Sequence, residues 1–164
     1  MRIRIFLYVI TGCCFGIVSW YASFLNDDIE MLLRFLPFAS LASLLLILAG
    51  TWFLPAIFVA SIEVRHAKDL WRPALAVACL WTTMVVSYYV YYAILIAVTG
   101  AGQLSFLRIV NATNPNVWED WRQFFTRTVM PNIAEWLPAS IIGGATFGGF
   151  IGLLYRRLSI YQSK

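Results

Sequence analysis

The sequence predicts an all-α membrane protein, a four-transmembrane-helix bundle with both termini cytoplasmic. Three observations predict it. The chain is 61% hydrophobic and 12% charged, where a soluble domain carries roughly 25% charged residues. The stretch Phe35 to Ile62 holds no formal charge, and about 20 apolar residues suffice to cross a bilayer core as a helix. Eight of the twelve Lys and Arg sit in three short segments: Arg2 and Arg4; Arg65, Lys68 and Arg72; Arg156, Arg157 and Lys164. Basic segments mark the cytoplasmic side, and four spans put all three there together. The 164 residues form one transmembrane domain.

The first span is expected over 5–25. Arg2 and Arg4 precede a run longer than a signal-peptide core, and its end, SWYASFLNDD, shows no clean small-x-small cleavage site. An uncleaved span with its amino terminus inside follows. Gly12, Gly16, Ser19 and Ser23 recur at helical spacing along it. Asn26 to Arg34 is a short acidic link in which Asp27 and Glu30 have capping-box spacing.

The second span is expected over 35–62. Pro37 and Pro55 lie within it, and a proline removes an intrahelical donor, so a kink is expected near Pro55. Glu63 to Arg72 then reads as the cytoplasmic loop. Arg65 and Asp69 have pairing distance in sequence. His66, the single histidine, has no second imidazole with which to share a metal or haem.

The third span, 73–99, starts at Pro73, which suits a first helical turn. Tyr88, Tyr91 and Tyr92 share one helix face, with Trp81 two turns away. Interfacial tyrosines form belts; the same face also suits a pocket for a lipid head group, a quinone or another flat ligand. The connection that follows is too long to be structureless in so small a protein. It contains a turn, NATNPN, whose Asn111-Ala112-Thr113 is formally a glycosylation sequon.

An amphipathic helix is expected over 117–130, with Asn116 and Glu119 at capping spacing. Val117, Trp118, Trp121, Phe124, Phe125, Thr128 and Val129 fall within an arc of about 140° at helical periodicity. Such a helix lies in the membrane interface, apolar face down. Trp118, Trp121, Phe124 and Phe125 are the expected interfacial or partner-docking face. The fourth span is expected over 137–155, with Pro138 in its first turn. Gly144, Gly148 and Gly152, extended by Ser140, recur along it. Close backbone approach through small residues drives helix packing in lipid, so Gly12, Gly16, Gly144, Gly148 and Gly152 are the expected helix-packing residues.

The four runs as drawn contain no Asp, Glu, Lys, Arg or His. Intramembrane ionisable residues mark ion paths and proton relays, so a proton-coupled pump is not expected, nor a small multidrug exporter, which carries an intramembrane glutamate. Cys13, Cys14 and Cys79 all lie in apolar runs; they read as packing residues and give neither a disulfide framework nor the outward cysteine pair of a thiol oxidase. No Ser-His, Cys-His or metal cluster can be assembled from one loop histidine, so no catalytic residue, cofactor or metal is assigned.

Leu54-Pro55-Ala56 running through Glu63-Val64-Arg65-His66, and Gly143-Gly144 running to Tyr155-Arg156-Arg157, resemble the uncharacterised small four-span inner-membrane proteins of bacteria. The resemblance implies an inner (plasma) membrane location and a four-span fold. The expected role is a non-enzymatic accessory or interaction subunit, with the lipid bilayer and other membrane subunits or a second copy as partners, and no nucleic acid. Two other roles fit the same chain. One is an immunity or exclusion protein acting in the membrane. The other is lipid or small-molecule binding or transport by an oligomer through Tyr88, Tyr91 and Tyr92.

Overall fold

The computed structural model describes residues 2–162 apart from 34, 36–37, 67–68, 101–107 and 110–113. Pro37, Lys68 and the sequon Asn111-Ala112-Thr113 lie outside the described residues, as does the side chain of Asp27. The described residues are helical, with no strand among them. α1 spans Arg2–Phe24, α2 Asn26–Leu32, α3 Ala39–Leu48, α4 Leu54–His66, α5 Trp71–Thr99, α6 Val117–Phe124 and α7 Met130–Gln162. Two π-helical segments join them, π1 at Ala49–Phe53 and π2 at Phe125–Val129. Four helical stretches are long and apolar enough to cross a membrane: Arg4–Ser23, Ala39–His66, Trp71–Thr99 and Val117–Leu158.

Both π segments end two residues before a proline, Pro55 and Pro131. A proline ring clashes with the carbonyl four residues earlier and leaves that carbonyl without its donor. A widened π turn relieves both problems without ending the helix. The expected disturbance near Pro55 therefore takes the form of π1, and α3, π1 and α4 remain one helix. The same device at Pro131 corrects the fourth-span boundary. No separate outer helix ends near 130; α6, π2 and α7 run on as a single rod. Pro138 lies inside α7 and not in its first turn.

α5 is the hub. α1 packs along it on one side, α7 on another, and α4 packs on both α5 and α7. Its inward positions include Ala76, Val77, Leu80 and Met84, which join Tyr8, Ala56, Val59 and Ala60 in the core. The glycine rows of α1 and α7 do not meet each other; each lies against α5. A Cβ on Gly12 would stand 2.8 Å from the Leu80 carbonyl oxygen, and one on Gly16 2.6 Å from that of Met84. On the opposite side, Gly144 would meet Ala78 Cα at 2.8 Å and Gly148 would meet Ala74 Cα at 2.9 Å. These are distances at which a side chain cannot be fitted, so the glycines set how closely three helices approach. α5 ends at Gly100, whose φ of 68° is the one left-handed backbone among the described residues.

The second rod changes neighbours at π1. Below it, α4 is held against α5 and α7; beyond it, the main neighbours of α3 are α1 and α2. Ser43 of α3 donates to Asn26 of α2 at 3.0 Å, and Ser40 donates to Glu30 at 2.6 Å. Glu30 is thus tied to α3, and the cap of α2 at Leu25 makes no side-chain hydrogen bond. The divergence of α3 leaves space beside α5 in the half of the bundle remote from the termini.

Candidate functional site: an aromatic crevice

The space beside π1 is a crevice of about 390 Å³. Ser19 comes from α1, Leu48 from α3, Trp52 and Phe53 from π1, Trp81, Val85, Tyr88 and Tyr89 from α5, and Trp136, Ala139 and Ser140 from α7. Each of the four long rods contributes. Volumes of roughly 300–1,000 Å³ with mostly apolar walls and a few placed polar groups are typical of small-molecule sites.

The inner wall is built by indoles that satisfy backbone and hydroxyl groups across helices. Trp81 Nε1 donates to the Trp52 carbonyl oxygen at 3.2 Å, and Trp52 Nε1 donates to Ser19 Oγ at 3.2 Å. One chain of donors thus runs from α5 through π1 to α1. Phe147 stacks on Trp81 with centroids 5.7 Å apart, while Trp52 and Phe53 meet Trp81 edge-on at 5.9 Å. Gly143 makes the stack fit: a Cβ there would stand 3.2 Å from Trp81 Cζ3. Offset and edge-to-face ring pairs of this kind add about 0.5–1.5 kcal/mol each beyond buried area, so this wall is preformed.

The outer wall is different. Tyr88 and Tyr89 meet edge-on at 5.1 Å, and neither hydroxyl hydrogen-bonds to another described residue. Trp136 is 52% exposed and its Nε1 is likewise without a bond among the described residues. Ser140 Oγ is already committed, donating to the Leu137 carbonyl at 2.8 Å. The lining holds hydroxyls and indoles and no carboxylate, imidazole, amine or thiol.

The face drawn through Tyr88, Tyr91 and Tyr92 is divided among three neighbours. Tyr88 alone lines the crevice. Tyr91 shares a hydrogen bond with Tyr21 of α1 and packs edge-on against Trp20. Tyr92 packs on Phe124 with centroids 5.8 Å apart. The aromatic face of α6 is divided as well. Trp121 Nε1 donates to the Ala93 carbonyl of α5 at 3.2 Å, and Phe125 stacks on Trp121 at 5.2 Å. Trp118 is 65% exposed. Trp121 and Phe124 therefore pack on this chain's own α5, and Trp118 projects outward. The expected cap at Asn116 is replaced by Asn114, which accepts from the Asn116 amide at 2.9 Å and donates to Asp120 at 3.1 Å. Glu119 pairs instead with Arg122 at 2.9 Å.

A second polar arrangement lies at the end carrying the termini, and sequence reading placed it wrongly. Glu63 is not a loop residue. α4 continues to His66 and carries Glu63 into the bundle, 7% exposed. Its Oε1 accepts from Tyr8 Oη at 2.7 Å and pairs with Arg4 Nη1 at 3.2 Å. A buried carboxylate is retained only where partners compensate its lost hydration, and α1 supplies both. Asp69 stands 3.9 Å from Arg72 Nε, and among the described residues it makes no ion pair with Arg65. A smaller hollow of about 260 Å³ opens beside Glu63, walled by Ile5, Tyr8, Arg72, Leu75 and Cys79. Cys13, Cys14 and Cys79 are free thiols, and exposed His66 has Nδ1 2.8 Å from the Ile62 carbonyl oxygen.

Comparisons with protein-family models, with curated proteins and with solved structures returned no match.

Proposed function

We propose that the protein is a non-enzymatic, multi-pass protein of the inner (plasma) membrane that holds an uncharged, apolar small molecule in the crevice beside π1. The crevice carries this reading: it is preformed, draws on all four rods, and leaves two phenol hydroxyls and an indole N–H without partners among the described residues. Of the roles open to the sequence, ligand binding is the one with such a feature behind it.

Orientation is part of the proposal. Arg4, Arg65, Arg72, Arg156 and Arg157 lie at or near the helix ends that carry the termini, and Glu119, Asp120 and Glu135 lie towards the other end. By the bias of basic residues to the inside, both termini are cytoplasmic and the crevice opens in the outer half of the bilayer. Exposed Trp118 then sits at the outer interface, at the far end of the rod that α6, π2 and α7 form.

The test is native mass spectrometry of protein extracted in mild detergent. The expected result is one additional non-covalent mass per protein, lost in Ala139→Trp, a substitution at an exposed position of the lining. Bare protein in both samples would overturn the reading.

A further inference from the structure

The lining chemistry narrows the ligand, on the premise that the crevice is a binding site as proposed above. None of its residues is ionisable near neutral pH. An anion finds no cation in the wall to hold it. A cation would find aromatic faces, but no carboxylate in the wall, and an unpaired charge in hydrocarbon is costly. The ligand is therefore neutral.

Shape follows from the rings. Six of the residues lining the crevice are aromatic: Trp52, Phe53, Trp81, Tyr88, Tyr89 and Trp136. A flat ring gains stacking and edge contacts against such walls that a flexible acyl chain does not, and it loses less conformational freedom on binding. Polarity follows from the spare groups. The inner indoles are occupied by Ser19 and by the Trp52 carbonyl, so among the described residues the donors that the outer wall leaves for a ligand are Tyr88, Tyr89 and Trp136. All three can donate, and Trp136 can only donate. They suit a ligand whose polar atoms are acceptors.

We propose that the crevice binds a neutral, flat ring bearing carbonyl oxygens, a membrane-dissolved quinone. The ring sits among Trp52, Phe53 and Trp81, and its carbonyls accept from Tyr88, Tyr89 and Trp136.

The probe is decylubiquinone, titrated into purified protein in nanodiscs while intrinsic tryptophan fluorescence is read. Tetraphenylphosphonium and dodecylbenzene serve as a cationic and a carbonyl-free comparison. The expected result is saturable quenching at one quinone per protein. Ala139→Trp should abolish saturation, and the double variant Tyr88→Phe, Tyr89→Phe should weaken binding several-fold with an unchanged helical circular dichroism spectrum. Linear quenching that is the same in every variant would overturn the quinone assignment. So would saturable binding of tetraphenylphosphonium, equal affinity for dodecylbenzene, or a crevice mass in the extracted protein that is a phospholipid. Equal affinity for dodecylbenzene leaves the proposed function standing; saturable tetraphenylphosphonium or a bound phospholipid leaves a binding site but not one for an uncharged, apolar ligand; and bare protein in the native spectra removes the binding site itself.

Discussion

The indole nitrogen of Trp81 donates to the backbone carbonyl of Trp52, inside the π turn that precedes Pro55. A side chain of the hub helix thereby ties itself to the disturbed stretch of its neighbour. Trp81→Phe keeps a ring in the stack with Phe147 and removes the donor. Interhelical hydrogen bonds in membranes average about 0.6 kcal/mol and reach about 1.7, so a loss of about 1 kcal/mol is expected. Trp81→Ala removes the ring as well and should cost about 3–5 kcal/mol. Unfolding by dodecyl sulfate titration in mixed micelles measures both.

Adjacent glycines of α7 should behave oppositely. A Cβ on Gly148 would run into the backbone of Pro73 and Ala74, whereas one on Gly149 would meet only Ala74 Cβ at 4.0 Å. Gly148→Ala should cost about 1–3 kcal/mol or prevent folding. Gly149→Ala should be neutral or slightly stabilising, because alanine favours the helix. The yield of folded protein and the dodecyl sulfate midpoint separate the two.

Glu63 fastens α1 to α4, and its two partners can be separated by substitution. Glu63→Gln keeps an acceptor for Tyr8 and loses the ion pair with Arg4. The Arg4 side chain is 31% exposed, so solvent screening holds the cost to about 1 kcal/mol. Glu63→Leu strands both Tyr8 and Arg4 and should cost about 2–3 kcal/mol. A double-mutant cycle with Arg4→Met should show coupling in both cases, larger with leucine, where Arg4→Met removes a guanidinium already stranded.

Orientation can be read from two exposed positions in a cysteine-free background. His66→Cys and Gln123→Cys lie at opposite ends of the bundle. In sealed spheroplasts a membrane-impermeant maleimide should label position 123 at once, and position 66 only after lysis. Equal labelling of the two before lysis would refute the proposed topology.

How far the sequence could be read divides along physical lines. The four stretches long and apolar enough to cross a membrane were legible because length and the lack of charge suffice to define them. The small-residue rows at Gly12 and Gly144 were legible as close-packing faces, but spacing within one helix carries no information about which helix lies opposite. Both turned out to lie against α5. The tyrosine face failed for a related reason: a helix with neighbours on several sides divides one face among them, so Tyr88, Tyr91 and Tyr92 part company. Glu63 was misplaced because an apolar run ends where its first charge appears, while the helix does not. Only the basic and phenolic partners at Arg4 and Tyr8, distant in sequence, make that carboxylate tolerable inside. The two π segments did have a sequence signal, a proline late in an otherwise unbroken helical stretch. That signal gives a disturbance without its form. The crevice had none, since its walls come from five elements that meet only in three dimensions.

The most direct measurement is the experimental density of the crevice itself. The protein, taken in native-lipid nanodiscs and bound to a rigid antibody fragment for cryo-electron microscopy, should show non-protein density between π1 and Trp136, bounded by Trp81 and Tyr88. Finding α3 closed onto α7, with no space beside Trp81 and nothing in it, would contradict the account.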